Sequence, residues 1–321
     1  MTMQYYPPLS VLVEAKDAGM MVRTLAERRL GVSRKLLSRL KLTERGITVN
    51  GQRVYVNDRV QEGDLVELRM EQERSDDILP EPMALDIVYE DADLLIVNKP
   101  PGIVVHPTHG HYTGTIANGV VHHWRECGEI VRFRPIHRLD EDTSGLVAIA
   151  KTPYVHQQLS EQLQAGEVYK SYVAYVYGAP PASAGTVDEP IDRDPESPHV
   201  RIVTPSGYPS VTHYETAAVY GDGIASKVKL KLETGRTHQI RVHMKHIGCP
   251  LIGDAMYGFA APERLADGLP KLEGLVARQA LHAAVLGFTH PIRREWMQWE
   301  ASLPEDLSSL ETALAKQDFG R

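Results

Sequence analysis

The chain has 321 residues, 42% hydrophobic and 24% charged, with a formal net charge of −7. Its length exceeds one ordinary compact domain and predicts two, while its composition excludes collagenous, disordered and disulfide-scaffold classes. No apolar run approaches the ~18 residues that cross a bilayer, and Met1 to Ser10 lacks the basic segment and apolar core of a secretory signal. A cytoplasmic location is therefore expected. Cys127 and Cys249 lie far apart and form no metal-ligand pair, as suits free thiols in a reducing compartment, with a lone disulfide as the alternative.

Charge is unevenly spread. Between Arg23 and Arg45 eight basic residues face two acidic ones, whereas from Glu62 to Asp93 twelve acidic residues face two basic ones. Phosphate binding responds to the local field within about 8–10 Å, so the acidic total does not exclude a nucleic-acid partner. A first module is predicted over 11–73. Val22, Leu25, Ala26 and Arg29 follow helical spacing. Ser33 can cap a second helix with Leu36, Leu37 and Leu40 inward and Arg34, Lys35, Arg39 and Lys41 outward. Ile47 and Val49 alternate into Asn50-Gly51, a hairpin turn, with Val54 and Val56 on the return strand, and Gly63-Asp64 opens another strand through Leu68.

That pair of short basic helices on a small sheet, with Ser33-Arg34-Lys35 through Gly46-Ile47-Thr48-Val49-Asn50-Gly51, resembles the RNA-binding domain first described in small-subunit ribosomal protein S-four. The resemblance implies RNA contacts from Arg34, Lys35 and Arg39; a merely solvated basic face is the alternative.

Pro80 and Pro82 among acidic and polar residues suggest a linker over 74–84. The second module is expected over 85–304, followed by a tail over 305–321. Leu94 to Val97 reads as a buried strand ended by Asn98-Lys99-Pro100-Pro101-Gly102, with Ile103-Val104-Val105-His106-Pro107 beyond. Next come His137-Arg138-Leu139-Asp140-Glu141-Asp142-Thr143-Ser144-Gly145 and the apolar run Leu146 to Ala150, which place a carboxylate beside an arginine in a turn anchored to a strand. Tyr172, Ala174 and Val176 share one face of a later strand, opposite Val173, Tyr175 and Tyr177. Lys227 to Glu233 alternates with its lysines outward. Thr237 can cap a helix with Ile240, Met244 and Ile247 on its apolar face and Gly248 past its end, and His238, Arg241 and Lys245 share another face. His243 and His246 could also share a face, but no cysteine or HExxH pattern completes a metal set, and no metal is expected.

His137-Arg138-Leu139-Asp140 followed by Thr143-Ser144-Gly145 resembles the signature of the RluA-type pseudouridine synthases, as do Asn98-Lys99-Pro100-Pro101-Gly102 with His106-Pro107, Lys170-Ser171-Tyr172, and Gly235-Arg236-Thr237-His238-Gln239-Ile240-Arg241. Pro250 to Gly258 and Arg278 to Ala283 extend the likeness. It implies an α+β protein with a mixed, largely antiparallel catalytic sheet preceded by a small α+β RNA-binding domain. It also implies an isomerase that detaches uracil from ribose in RNA, rotates it and rejoins it through carbon. Asp140 would carry the key step as nucleophile or base, Tyr172 would line the uridine pocket, and Arg241 would pair with Asp140. Arg138 would fill the gap of an extruded nucleotide or grip a phosphate. His137 would shape the turn at the substrate, while Lys99, His106, Arg236 and His238 are further candidates for substrate contact. Nothing is oxidised and no group is imported, so no cofactor is expected. Large-subunit ribosomal RNA is the expected substrate and transfer RNA the alternative; no membrane or protein partner is implied. The rival classes are a non-catalytic RNA-binding or ribosome-assembly protein, and a glycoside-cleaving hydrolase, which usually needs two cooperating carboxylates.

Overall fold

A computed structural model describes residues 4–258, 272 and 274–316. The first unit has strand β1 (Leu9–Leu12), helices α1 (Val22–Leu30) and α2 (Arg34–Leu40), and strands β2 (Ile47–Val49), β3 (Gln52–Arg53) and β4 (Leu65–Leu68), ordered β1-β4-β2-β3. The Ser33 hydroxyl accepts the Leu36 N–H at 3.2 Å, capping α2. Asn50 (φ 48°) and Gly51 (φ 77°) form the hairpin turn. The return strand is short: Val54 and Val56 lie beyond β3 and pack partly buried against the core, with one further rung from the Val54 N–H to Ile47 O at 3.3 Å.

The second unit is built on a nine-stranded sheet. Its strands are β5 (Ile87–Glu90), β6 (Leu94–Lys99), β7 (Ser144–Ala150), β8 (Tyr169–Tyr177), β9 (Ala184–Asp188), β12 (Val211–Tyr220), β13 (Ala225–Leu232), β14 (Leu281–Thr289) and β15 (Trp296–Glu300). Strands β10 (Ile191–Arg193) and β11 (Arg201–Val203) make a separate hairpin. The order is β5-β6-β7-β14-β8-β13-β12-β9, with β15 beside β14. All these pairs are antiparallel except β7 with β14, which meet only at Ser144–His282 and Gly145–Ala283. Beyond that the strands part. β14 takes β15, while β7 takes the segment before it: Ile136 N–H donates to Ala148 O and Ala150 N–H to Arg134 O, each at 2.9 Å. The crossing is close, since a Cβ on Gly145 (φ 116°) would overlap the Ala283 backbone.

Alternation decides the two faces. Leu95, Val97, Val147, Ile149, Tyr172, Ala174 and Leu230 pack on one side with α3 (Ile116–Glu126) and α5 (Gln239–His246). On the other side Leu94, Ile96, Leu146, Phe288 and Trp299 join Tyr154, Val155 and Leu159 of α4 (Pro153–Gln164), and that cluster runs on into Leu25, Leu36 and Leu68 of the first unit. The Tyr154 hydroxyl donates to Leu30 O at 2.7 Å, and Gln157 spans the joint from the Ser33 N–H to the Gly31 carbonyl.

Two boundary expectations need correction. Residues 74–84 are no free tether: Ser75 is buried and accepts the Phe133 N–H at 2.8 Å, and Asn118 Nδ2 donates to Leu79 O at 2.8 Å. Prolines and charges describe the local chain but not its side-chain anchors. The stretch after Pro304 is likewise no tail through Lys316. It forms α6 (Glu305–Lys316), burying Leu307, Leu310 and Leu314 against Tyr175 and Tyr177. Leucines at i, i+3 and i+7 make an apolar stripe. Lys227, expected outward, is covered by this helix and pairs with Glu311 at 2.6 Å. Residues 317–321 lie outside the described residues.

Candidate active site

Asp140 ends the irregular segment before β7, where Thr143 N–H donates to Asp140 O at 3.1 Å and closes a turn. A cleft of about 760 Å³ opens there, lined by Asp140, Tyr172 and Arg241 together with Arg138, His137, His106, Arg236 and His238. Pro135, Ile136 and Leu281, flanking the point where β7 and β14 diverge, line it too. Residues from five separate segments thus share one wall system.

Arg241 projects from α5. Its Nε and one Nη donate to the two oxygens of Asp254 at 2.7 and 2.8 Å, and its other Nη reaches Asp140 Oδ2 at 3.4 Å. Asp254 also accepts the N–H groups of Met256 and Tyr257. Tyr172 is buried, and burial, then the Asp140 charge, pushes its phenol above the ordinary range. It therefore stays protonated at neutral pH, offering a ring face and an O–H.

His238 occupies the left-handed region (φ 58°) at the start of α5. Thr237 does not cap this helix, contrary to expectation. Instead, the Gln239 side chain turns back to accept the Arg236 N–H at 2.9 Å and the Thr234 hydroxyl at 2.9 Å. Tyr257 Oη accepts the Arg201 N–H at 2.8 Å and is hydrogen-bonded to His238 Nδ1, also at 2.8 Å. His238 Nε2 lies 3.9 Å from Asp140 Oδ2, and the two carry opposite charges only when the ring is protonated and not in its neutral form. Burial lowers the His238 pKa against the pull of Asp140, favouring that neutral form. The expected shared face of His238, Arg241 and Lys245 closes around Tyr257, whose ring lies 4.8 Å from the Arg241 guanidinium carbon.

Arg138 is exposed at the rim. Burial, then Arg138, lowers the His106 pKa. The Arg236 guanidinium lies 5.4 Å from the Tyr208 ring. In the first unit the Arg34 side chain is 91% exposed beside Glu27, Arg39 pairs with Glu73, and Lys35 is exposed.

The RNA pseudouridylate synthase family profile matches residues 93–246. The uncharacterized RNA pseudouridine synthase YlyB of Bacillus subtilis is 44% identical over 273 residues, covering 84% of this chain and 86% of that one. Ribosomal large subunit pseudouridine synthase D of Escherichia coli K12 is 41% identical over 273 residues, covering 81% and 82%. Among solved structures, human RNA pseudouridylate synthase domain containing 4 aligns with a TM-score of 0.58 and 27% identity, over 71% of this chain and 92% of that one. The chain belongs to the RNA pseudouridine synthase family. Members of this family are isomerases acting on RNA, and the mixed, mostly antiparallel sheet is the fold expected of them.

Within this pseudouridine synthase one candidate is displaced from its expected place. Lys99 is fully buried outside the cleft lining, and its ammonium donates to the carbonyls of Pro100, Ile103 and Glu141 at 2.9, 2.7 and 2.7 Å. It cannot touch substrate; it fixes the backbone next to Asp140. Burial lowers its pKa to about 7. His243, weighed as a metal ligand, spends its nitrogens on Thr212 Oγ1 and Glu189 O at 2.8 and 2.9 Å. Cys127 and Cys249 are free thiols.

Asp254, Tyr257 and Arg278 were assigned no role by sequence reasoning. A usable signal was Gly253-Asp254: Gly253 has φ 74° and a Cβ there would overlap the Arg278 carbonyl, the mark of a forced turn that aims its neighbour. Arg278 donates to Asp142 O at 2.9 Å and pairs with Asp306 of α6 at 2.7 Å, bracing the loop that carries Asp140.

Proposed function

We propose that this enzyme converts specific uridines of large-subunit ribosomal RNA to pseudouridine in the cytoplasm, without a cofactor. The observation that supports it is the meeting of Asp140, Tyr172 and Arg241 on one cleft. A base within stacked RNA hides its glycosidic bond, so the target nucleotide must be turned out, at a cost of a few kcal/mol that is least in loops. Tyr172 supplies the stacking face. Asp140, with one oxygen toward Arg241, acts as nucleophile or base on the nucleoside. Arg138 at the rim takes the space left by the base or a flanking phosphate, and His106, Arg236 and His238 contact the nucleotide from the walls. Arg34, Lys35 and Arg39 hold the RNA from the S-four-like unit. The substrate choice leans on relatives named for the large ribosomal subunit, while transfer RNA is the competing substrate.

The test is tritium release from carbon-5-labelled uridine in unmodified 23S RNA and in transfer RNA. Wild type should release tritium from the former, and Asp140→Asn should bind it with turnover reduced by about 10²–10⁴-fold or more. Turnover retained by Asp140→Asn would remove the site assignment. Mapping pseudouridines in a deletion strain identifies the substrate.

A further inference from the structure

Lys170 stands two residues before Tyr172 on β8, on the same face and about 6.6 Å away along the strand. It lines the cleft at 8% exposure, and among the described residues it makes no hydrogen bond or ion pair. Burial pushes its pKa down, as expected of an ammonium deprived of water and of a counter-charge. Nearby, His137 Nε2 accepts the Ala148 N–H at 3.4 Å, which leaves the ring proton on Nδ1. That Nδ1 is buried and has no partner. Burial, then the Lys170 charge, keeps His137 neutral. The cleft lining therefore holds a cation with no counter-charge among the described residues, together with a buried N–H that has no acceptor. Buried polar groups are ordinarily satisfied, and the few that are not call for a reason. None of the roles given to Asp140, Tyr172 and Arg241 uses either group.

We propose that Lys170 forms an anion subsite for a phosphodiester oxygen of the RNA strand, adjoining the nucleotide whose base lies against Tyr172. This rests on the RNA reading above and adds a place for the backbone. A uracil carbonyl would satisfy a hydrogen bond but leave the lysine charge uncompensated, whereas a phosphate answers both. The step from Tyr172 to Lys170 suits a nucleoside that reaches from its base to its own backbone.

The experiment measures binding of in-vitro-transcribed, unmodified 23S RNA over a salt series, with single-turnover tritium release at saturating RNA. Lys170→Met removes the charge and keeps the length; Lys170→Arg keeps the charge. For Lys170→Met we expect about tenfold weaker binding at low salt. The slope of log K against log salt should be shallower by roughly 0.7, as for one lost single-strand phosphate contact. The melting temperature should not fall, and Lys170→Arg should restore the slope. An unchanged slope, or a saturating rate that collapses while binding holds, overturns the subsite. Lys170→Gln, read by the same slope, replaces Lys170→Met if that variant does not fold. A wild type that releases no tritium would instead defeat the activity reading, since the salt slopes are measured without turnover.

Discussion

Arg241 grips Asp254 with two nitrogens at 2.7 and 2.8 Å and spares only a third, at 3.4 Å, for Asp140. The arginine is thus mounted on one carboxylate and offered to another. Asp254 is fully buried and Asp140 is not. A mount of this kind holds the guanidinium plane fixed while Asp140 keeps an oxygen toward the cleft.

Asp254→Asn should therefore damage both stability and chemistry. Removing one member of a buried pair strands the other charge, at about 3–5 kcal/mol. Urea unfolding should show a loss of that order, and tritium release should fall at least as far as in Arg241→Lys. A variant with wild-type stability and rate would mean that Asp254 is not the mount.

Lys99→Met separates stability from rate. Burial that lowers the lysine pKa to about 7 amounts to at most about 5 kcal/mol of penalty relieved. Three stranded carbonyls cost about 1–3 kcal/mol each. Together they cost about 3–9 kcal/mol, so with the penalty relieved the unfolding free energy should fall by no more than about 4 kcal/mol. The Glu141 carbonyl loses its anchor beside Asp140, and the single-turnover rate should fall about tenfold, as for a reacting group displaced slightly from its attack geometry. A large stability loss with an intact rate would contradict this.

Acid should find a weak point at His137. Its folded pKa is lowered by burial to about 3 from an ordinary 6.5. Between those values the unfolded chain takes up a proton that the folded chain refuses, so this contribution is present above pH 6.5 and lost as pH falls toward 3. From pH 7 to 4.5 wild type should lose about 2–3 kcal/mol more than His137→Gln. Equal losses in paired urea titrations would show that the ring is not held neutral.

The last helix should count as core. Leu310 is completely buried against the β8 and β13 side of the sheet, and Leu310→Ala should cost about 2–5 kcal/mol. Asp306→Asn unpairs Arg278, which holds the Asp142 carbonyl, so it should lower the rate more than the melting temperature. A chain cut after Pro304 that melted like wild type would refute this.

Much was legible in local pattern. Asn50-Gly51, the Ser33 cap and the strand faces around Tyr172 depend on φ preferences, one hydrogen bond and a period of two, all written within a few residues. The signature around Asp140 was legible for the same reason. The Thr237 cap failed because a side chain two residues on, Gln239, made the bonds instead. The linker failed because its anchors, Phe133 and Asn118, come from distant sequence.

By itself the sequence determined which residues carry charge and which family pattern Asp140, Tyr172 and Arg241 satisfy. Only the tertiary structure decided that Lys99 supports the loop and lies outside the cleft lining, that Asp254 mounts Arg241, and that Lys170 stands beside Tyr172 with no counter-charge among the described residues. The reason is physical. Backbone preference acts over a few residues, whereas burial and the partner of a charge are set by chain brought together from afar, such as Arg241 and Asp140, 101 residues apart.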